Sequence, residues 1–405
     1  MMRRLTAKFR YAYSLATTSG FPWSPPGCSP DRGPVAKLRH AARRAIMTQW
    51  PRQLRPIAAI AMVMAWPFAS LKDAIQSSAF LSPTTLRWRP RASIAWWAWK
   101  RAMTDSIPPV EAMAFRLFDD DAADRHGWLY FWESICLLRR LTSREARALA
   151  GDKAAFATWC DANGLRCIPT LAIVDDGGKT NASISFPDDD LIIKPARGAK
   201  GIGVEAWRWR EGRFHAKGNK LSCAELASHV RARSVLEGQM LIQPLVRPHA
   251  CLAGVAGSGI PAMRIITLRK PDGSVVIGPA MLQAPLPAAT ISQSGPFCMV
   301  DTTSGHVMPP TPRQWDSVFD MPPPSGFEGI DLPGWLGLTA MLERAHACFP
   351  GVAPAIGWDV LFDDEGPMLC EANTGLSFYF FQFAVDQPLG ASPIGETLLA
   401  WVERG

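Results

Sequence analysis

The sequence predicts an α+β protein of two lobes, preceded by a basic and mainly helical region. Three observations carry this reading. At 405 residues the chain exceeds one ordinary hydrophobic core. Near residue 150 the text changes from helical periodicity to short strand-like runs separated by turn signals. Charge divides along the chain as well: residues 1–105 hold 17 Lys and Arg against three Asp and Glu, whereas the remaining 300 hold 26 against 33. With 48% hydrophobic and 20% charged residues, the chain is a folded one and not a disordered one.

In order, residues 1–35 are expected to be a flexible segment, since GFPWSPPGCSPDRGPV at 20–35 is dense in Pro and Gly. The opening MMRRLTAKFRYAYSLATTSG lacks the uninterrupted apolar run of a secretory signal. Nine scattered cysteines without a C-x-x-C pair fit neither a disulfide framework nor a zinc site, and point to a reducing, cytoplasmic compartment. Residues 36–150 form the basic region, in which six of the sixteen tryptophans fall between 50 and 99. Arg and Trp together suit an interfacial helix on an anionic membrane, a single-stranded nucleic-acid groove, or a plain helical lobe with buried tryptophans and solvated arginines. Membrane-surface contact through 36–105, peripheral at the inner face, is preferred to nucleic acid. The apolar run 57–71, IAAIAMVMAWPFASL, carries Pro67 and stops at Lys72, short of the roughly 20 residues of a span. It is expected to be a buried or interfacial helix.

From 151 to 238 a first lobe is expected, and from 239 to 405 a second. Runs such as LIIKP, GVEAWRW, QMLIQPLV, MRIITL and SVVIGPAML read as strands, and helical patterns return at about 223–235, 333–348 and 389–403. Strands, hairpins and helices without strict alternation argue for α+β.

Residues 191–204, LIIKPARGAKGIGV, place Lys194 at a strand end before Gly198, Lys200, Gly201 and Gly203. Glycines allow backbone N–H groups to approach phosphate oxygens. Neither a Walker loop nor the G-x-G-x-x-G fingerprint fits, and the kinase motifs H-R-D and D-F-G are absent. A glycine-rich hairpin without a ligand is the alternative. At 356–374, IGWDVLFDDEGPMLCEANT, two strand-like runs flank DDEG. A five-residue loop at 363–367 would pair Phe362 with Met368 and set Asp359 opposite Glu371, with Asn373 on the same face. Two carboxylates and an amide oxygen are hard ligands suited to Mg²⁺ completed by phosphate and water. An exposed hairpin with solvated charges is the rival reading.

Taken in order, GDK at 151–153, GLRCIP at 164–169, IIKPARGAKGIGV, QPLVRPHA at 243–250, RIITL at 264–268 and GWDVLFDDEGPMLCEANT resemble the ATP-grasp superfamily. The closer resemblance, over about 150–390, is to its sugar-transfer-associated members. That resemblance implies the ATP-grasp fold, with Lys153 and Lys194 as ATP-binding lysines and Gly198, Gly201 and Gly203 as the lid over the triphosphate. It implies Gln243 at the hinge, Leu245 as a backbone contact to adenine, and His249 near the ribose. Arg264 would face the γ-phosphate or acyl phosphate, and Asp359, Glu371 and Asn373 would bind metal. The cofactors implied are ATP and Mg²⁺, two ions expected and Mn²⁺ a possible substitute. The activity implied is a carboxylate–amine or carboxylate–thiol ligase working through an acyl phosphate on small molecules such as a sugar acid, in exopolysaccharide or cell-surface glycan biosynthesis. A phosphotransferase on a sugar or small molecule, or a non-catalytic ATP-binding scaffold, are the rivals. Two features depart from the family: QAPLPAATISQSGP at 283–296 lacks the expected arginine and Asp-Asn pair, and Met263 replaces the usual threonine.

Overall fold

The computed structural model describes residues 34–48, 50–79, 81, 89–118, 127–177, 186–198, 201–257, 259–286, 289–290, 295–310 and 325–404. All but the last two residues of the expected flexible segment 1–35 lie outside them. Among the described residues, the part before 151 is helical: α1 (Pro34–Met47), α2 (Arg55–Ser78), α3 (Arg91–Thr104), α4 (Pro109–Ala114), α5 (Phe131–Leu141) and α6 (Arg144–Ala150). Local chemistry sets several ends. In α5, Glu133 lies in the first turn and Arg139 and Arg140 in the last, which complements the helix dipole. Ser143 caps α6 by accepting from the Ala146 N–H.

The apolar run expected to stop at Lys72 belongs to a longer helix. α2 continues through Pro67 and Lys72 to Ser78. Reciprocal bonds with α3 hold it at the proline: the Trp99 indole of α3 donates to the Pro67 carbonyl at 2.9 Å, and the Trp66 indole of α2 donates to the Ala102 carbonyl at 2.9 Å.

A six-stranded sheet runs β1-β6-β2-β3-β4-β5, with every neighbouring pair antiparallel. Its strands are β1 (Ala172–Val174), β2 (Leu191–Pro195), β3 (Glu205–Arg210), β4 (Arg213–Ala216), β5 (Asn219–Leu221) and β6 (Met240–Pro244). Helix α8 (Cys223–Glu237), opened by a Ser222/Glu225 capping box, covers one face. Leu191, Ile193, Trp207, Phe214, Leu226, Val230 and Ile242 pack between them.

The second sheet runs β11-β10-β7-β8-β9 and is also antiparallel. It contains β7 (Ala262–Arg269), β8 (Val275–Gln283), β9 (Phe297–Val300), β10 (Ala355–Asp363) and β11 (Gly366–Asn373). On one face, Ile265, Leu282, Trp358, Val360 and Leu369 pack with Leu338 and Leu342 of α10 (Trp335–Cys348) and with Phe156 of α7 (Lys153–Ala162). The opposite face, through Ile266, Leu268 and Met281, joins a core with Leu38, Phe115, Trp128 and Leu137 of the N-terminal region and with Leu398 of α12 (Pro393–Arg404). The basic region is therefore built onto the second sheet, three layers deep at that point.

The lobes do not follow the boundaries expected at 150/151 and 238/239. Strand β6 comes after 238, yet it lies inside the first sheet between β1 and β2. Helix α7 comes after 150, yet it packs into the core of the second sheet. Hydrogen-bond pairing, which decides sheet membership, leaves no mark in composition.

Candidate active site

Strand alternation starts the site. In β2, Leu191 and Ile193 point into the α8 core, so Ile192 and Lys194 share the other face. The Lys194 side chain is 7% exposed and forms no hydrogen bond or close ion pair with any described residue. Its charge still reaches the Glu371 carboxylate and the Cys370 thiol.

After Pro195 the backbone turns through Gly198, Gly201 and Gly203, with φ values of 129°, 59° and 76°. Gly203 is required twice over. A Cβ there would lie 2.8 Å from Pro195 Cγ and 2.8 Å from Glu237 Oε2, in a conformation L side chains avoid. From α8, Arg233 donates to the Gly203 carbonyl at 2.7 Å and to Glu237 at 2.7 Å, tying down the far end of the loop. Lys153 secures the near end: its ammonium donates to the Gly198 carbonyl at 2.7 Å, and its backbone N–H to the Ala196 carbonyl at 2.9 Å. Asp152 caps α7 at Ala154 and Ala155 and pairs with Arg197 at 3.1 Å, which fixes where Lys153 starts. Lys200 lies outside the described residues.

The second sheet supplies the acids. Arg264 of β7, Asp359 of β10 and Glu371 of β11 stand side by side across three paired strands. Arg264 Nε and Nη2 each donate to a different Asp359 oxygen at 2.7 Å. The Asn373 amide nitrogen bridges Asp359 at 3.5 Å and Glu371 at 3.4 Å. Lys153 Nζ is 3.6 Å from Glu371 Oε2. Three cations thus surround two carboxylates.

The hairpin reaches this register differently from the expected five-residue loop. Asp363 pairs with Gly366, leaving a two-residue turn, and Phe362 pairs with Pro367 where Met368 was expected. Asp359 still faces Glu371, because the register slips by one between Asp359 and Val360. The extra residue is Cys370. Leu369 and Ala372 both point into the core of the second sheet, and the bulge places Cys370 and Glu371 together on the opposite side. Without it, Glu371 would point into that core.

Burial pushes the Asp359 carboxyl up to about 6; the Arg264 charge and bonds pull it down and the Glu371 carboxylate adds to the rise. Burial also opposes the Glu371 anion, but its hydrogen bond with Asp359 and the charges of Lys153, Lys194 and Arg264 hold it below the usual carboxylate range. Burial raises the Cys370 thiol to about 11, so it stays protonated at neutral pH.

Between the sheets lies an apolar wall of Ile168, Ile192, Leu245, Leu361 and Met368, with Val204 and Cys370 packed against it. Sequence reading missed most of it, since its members come from separate elements, each unremarkable alone. Asp152 and Arg233 were also missed; for Asp152 the signal was its place before the helical run. Gln243 is buried on β6, its amide directed to the Ile168 carbonyl at 3.3 Å. The Leu245 N–H is committed to the Asp190 carbonyl at 2.8 Å, so a contact made by that residue's backbone falls to its carbonyl. His249 caps the short turn 250–252, its Nδ1 accepting from the Cys251 N–H at 3.1 Å, while its own N–H donates to Phe362. Met263 is fully buried in the core behind the sheet, opposite in direction to Arg264, so this departure from the family pattern does not alter the site face. The Gln283 amide donates to the Gly295 carbonyl at 3.0 Å, and 287–288 and 291–294 of the altered segment lie outside the described residues.

A family model described as sugar-transfer associated ATP-grasp matches residues 133–392, well over half of the chain. The chain belongs to this family. Its ATP-grasp fold has counterparts of low identity among solved structures. One is D-alanyl-alanine synthetase A from Vibrio cholerae, 15% identical, with 65% of this chain and 67% of that chain covered at a TM-score of 0.37. Another is D-cycloserine synthetase DcsG, 16% identical, with 74% and 94% covered at 0.38. A D-alanine–D-alanine ligase from Bacillus anthracis is 12% identical, with 65% and 70% covered at 0.38. A search of the curated proteins finds no match.

ATP-grasp enzymes generally use ATP and Mg²⁺, and the residues of this ATP-grasp protein fit both. A mostly buried lysine with no hydrogen-bond partner among the described residues and a loop of positive-φ glycines suit phosphate. Asp359 and Glu371 suit a hard cation, and Asn373 would join them through its side-chain oxygen once the amide, here turned nitrogen-first to both, rotates. Among the described residues no group of three or more His, Cys, Asp and Glu could hold a metal by itself, so phosphate oxygens and water would complete the coordination.

Proposed function

We propose that the protein is an ATP- and Mg²⁺-dependent ligase that activates a carboxylate as an acyl phosphate and passes the acyl group to an amine, or alternatively a thiol. The observation that supports this most is the Lys194 ammonium, without a hydrogen-bond partner among the described residues and with its charge reaching Glu371 of the Asp359/Glu371 pair. Its position at the strand end, with Lys153 and the glycine loop, suits a triphosphate. The apolar wall at Ile192, Leu245, Leu361 and Met368 suits the flat face of adenine, with Gln243 at its edge. Arg264 would meet the negative charge that develops on the transferred phosphoryl group. Bound Mg²⁺ would neutralise phosphate charge and hold the reacting oxygens in place. A carboxylate oxygen of the substrate attacks the γ-phosphorus and ADP leaves; the amine then attacks the acyl carbon and phosphate leaves. No protein nucleophile is required, and positioning does most of the work.

The family's association with sugar transfer supports a sugar acid or amino acid as the carboxylate and a place in cell-surface glycan biosynthesis, on the cytoplasmic side where ATP is supplied. The experiment is phosphate release and product mass with Mg²⁺-ATP and a panel of carboxylates and amines. An amide with ADP and phosphate, lost in Glu371→Ala, is the expected result. A phosphorylated product would make it a phosphotransferase. ATP binding with no turnover would make it a nucleotide-binding scaffold.

A further inference from the structure

Helix α2 is built inside out. Its buried positions are Ala58, Trp66, Ser70, Ala74, Ser77 and Ser78, of which only Trp66 is bulky. Most of the other large apolar side chains point outward: Ile57, Ile60, Met64 and Phe68 are 64%, 65%, 65% and 76% exposed, Leu71 and Ile75 continue the stripe, and Met62 and Val63 are half-buried at its edge. From 56 to 71 every exposed position is apolar, and Lys72 is the first charge on that face. A helix on a water-facing surface has the reverse arrangement, with polar residues outside. At about 1.5 Å per residue the stripe is over 25 Å long, far beyond the scattered apolar residues of an ordinary surface.

We infer that α2 lies in the surface of an anionic lipid bilayer, its outward stripe among the acyl chains and its axis along the membrane plane. Charge argues for lipid. Arg52 stands exposed at one end of the stripe and Lys72 at the other, with Lys100 exposed on the neighbouring α3, and Arg52 and Lys100 meet no carboxylate among the described residues. Exposed Trp50 and Trp96 supply the indoles that favour the headgroup layer. A second copy of the chain fits less well. A symmetric pair would set Arg52 against Arg52 or against Lys72, like charges in both cases.

By length and composition α2 would also suffice to cross a membrane. Its packing favours lying flat. On its inner side α2 rests on α3, joined by the two indole bonds and by Ala74 with Ile94, Ala95 and Ala98. Helix α3 carries exposed Arg91 and Lys100, which a crossing would drag into hydrocarbon. This inference is independent of the reaction catalysed.

The test is flotation of the full chain with vesicles of phosphatidylcholine, alone or with phosphatidylglycerol. Binding should be about tenfold stronger with the anionic lipid, weaken with salt, and be reversed by alkaline carbonate. The triple variant Ile60→Gln/Met64→Gln/Phe68→Gln changes only exposed side chains and should lose about tenfold in binding while retaining the thermal transition of the parent. Should that variant misfold, Arg52→Glu/Lys100→Glu provides the same test through the salt-dependent part. Vesicle binding unchanged by the variants would overturn the inference. So would a dimer dispersed by the triple variant without any vesicle binding, or protein released only by detergent.

Discussion

Arg264 and Asp359, directly opposite on neighbouring strands, are joined by two parallel bonds of 2.7 Å. The fork engages both oxygens of an acid that the proposed chemistry needs for a cation, so guanidinium and metal act on one group. Arg264→Ala removes the charge that holds Asp359 down, and its carboxyl should rise further above about 6. Phosphate release at neutral pH should fall about 10²–10³-fold, the usual scale for one charge-stabilising donor. Arg264→Lys should recover little, because an ammonium cannot reproduce a two-pronged contact. Steady-state phosphate assays of the three proteins check this.

Lys194→Met should separate stability from binding. The substitution removes a charge that forms no hydrogen bond with any described residue and keeps much of the side-chain volume, so the ligand-free protein should melt at about the same temperature. The shift produced by Mg²⁺-ATP should disappear. For the parent protein that shift corresponds to about 2.7 kcal/mol at a hundredfold excess over Kd. A variant that is less stable without ATP, yet still stabilised by it, would contradict this role for Lys194.

Gly203→Ala should cost about 1–3 kcal/mol, since a left-handed backbone and a crowded Cβ coincide there. Gly212 also has positive φ, at 73°, but nothing within 4 Å of the position of its Cβ. Gly212→Ala therefore reports the backbone cost alone. The difference between their urea midpoints isolates the contact with Pro195 and Glu237, and only Gly203→Ala should weaken ATP binding.

Acid sensitivity should trace in part to His346. Its Nε2–H donates to the Ala353 carbonyl at 2.8 Å, which leaves Nδ1 to accept from the Thr267 hydroxyl at 2.7 Å. Thr267 in turn accepts the Trp358 indole at 2.7 Å. Burial lowers the imidazole from 6.5 to about 4, so below 6.5 the unfolded chain takes up a proton that the folded one resists. Stability should therefore fall as pH drops from 6.5 towards 4, by up to about 1.4 kcal/mol per unit. Melting curves across that range should be flatter for His346→Gln.

The residues gathered at the candidate site stand out in the sequence because their chemistry depends on residue type: Lys194 before a glycine cluster, and Asp359, Glu371 and Asn373 on strand-like text. The helical character of 36–150 and the strands after 170 could be read from period. The bulge at Cys370 could not, because an extra residue in one strand is defined only by the partner strand. The expected loop gave the right Asp359–Glu371 pairing by another route. The wall of Ile168, Ile192, Leu361 and Met368 was hidden because apolar residues announce burial and not which neighbours they meet. The same limit left the run 57–71 open between a buried and an interfacial helix. Periodicity marks a face, and only packing tells whether that face is turned in or out.

Helix α1 and helix α12 lie at opposite ends of the described chain and on either side of the family match, yet both contribute to one core over the second sheet. Lys37 meets Glu403 at 2.6 Å, and the Gly390 N–H donates to the Gly127 carbonyl at 2.8 Å, fastening those ends together. Trimming the chain to the matched stretch, residues 133–392, would therefore cut into that core. It would strip part of the cover from the face of the second sheet that carries Ile266, Leu268 and Met281. The matched middle and its flanks make one folding unit, and expression trials should treat them as such.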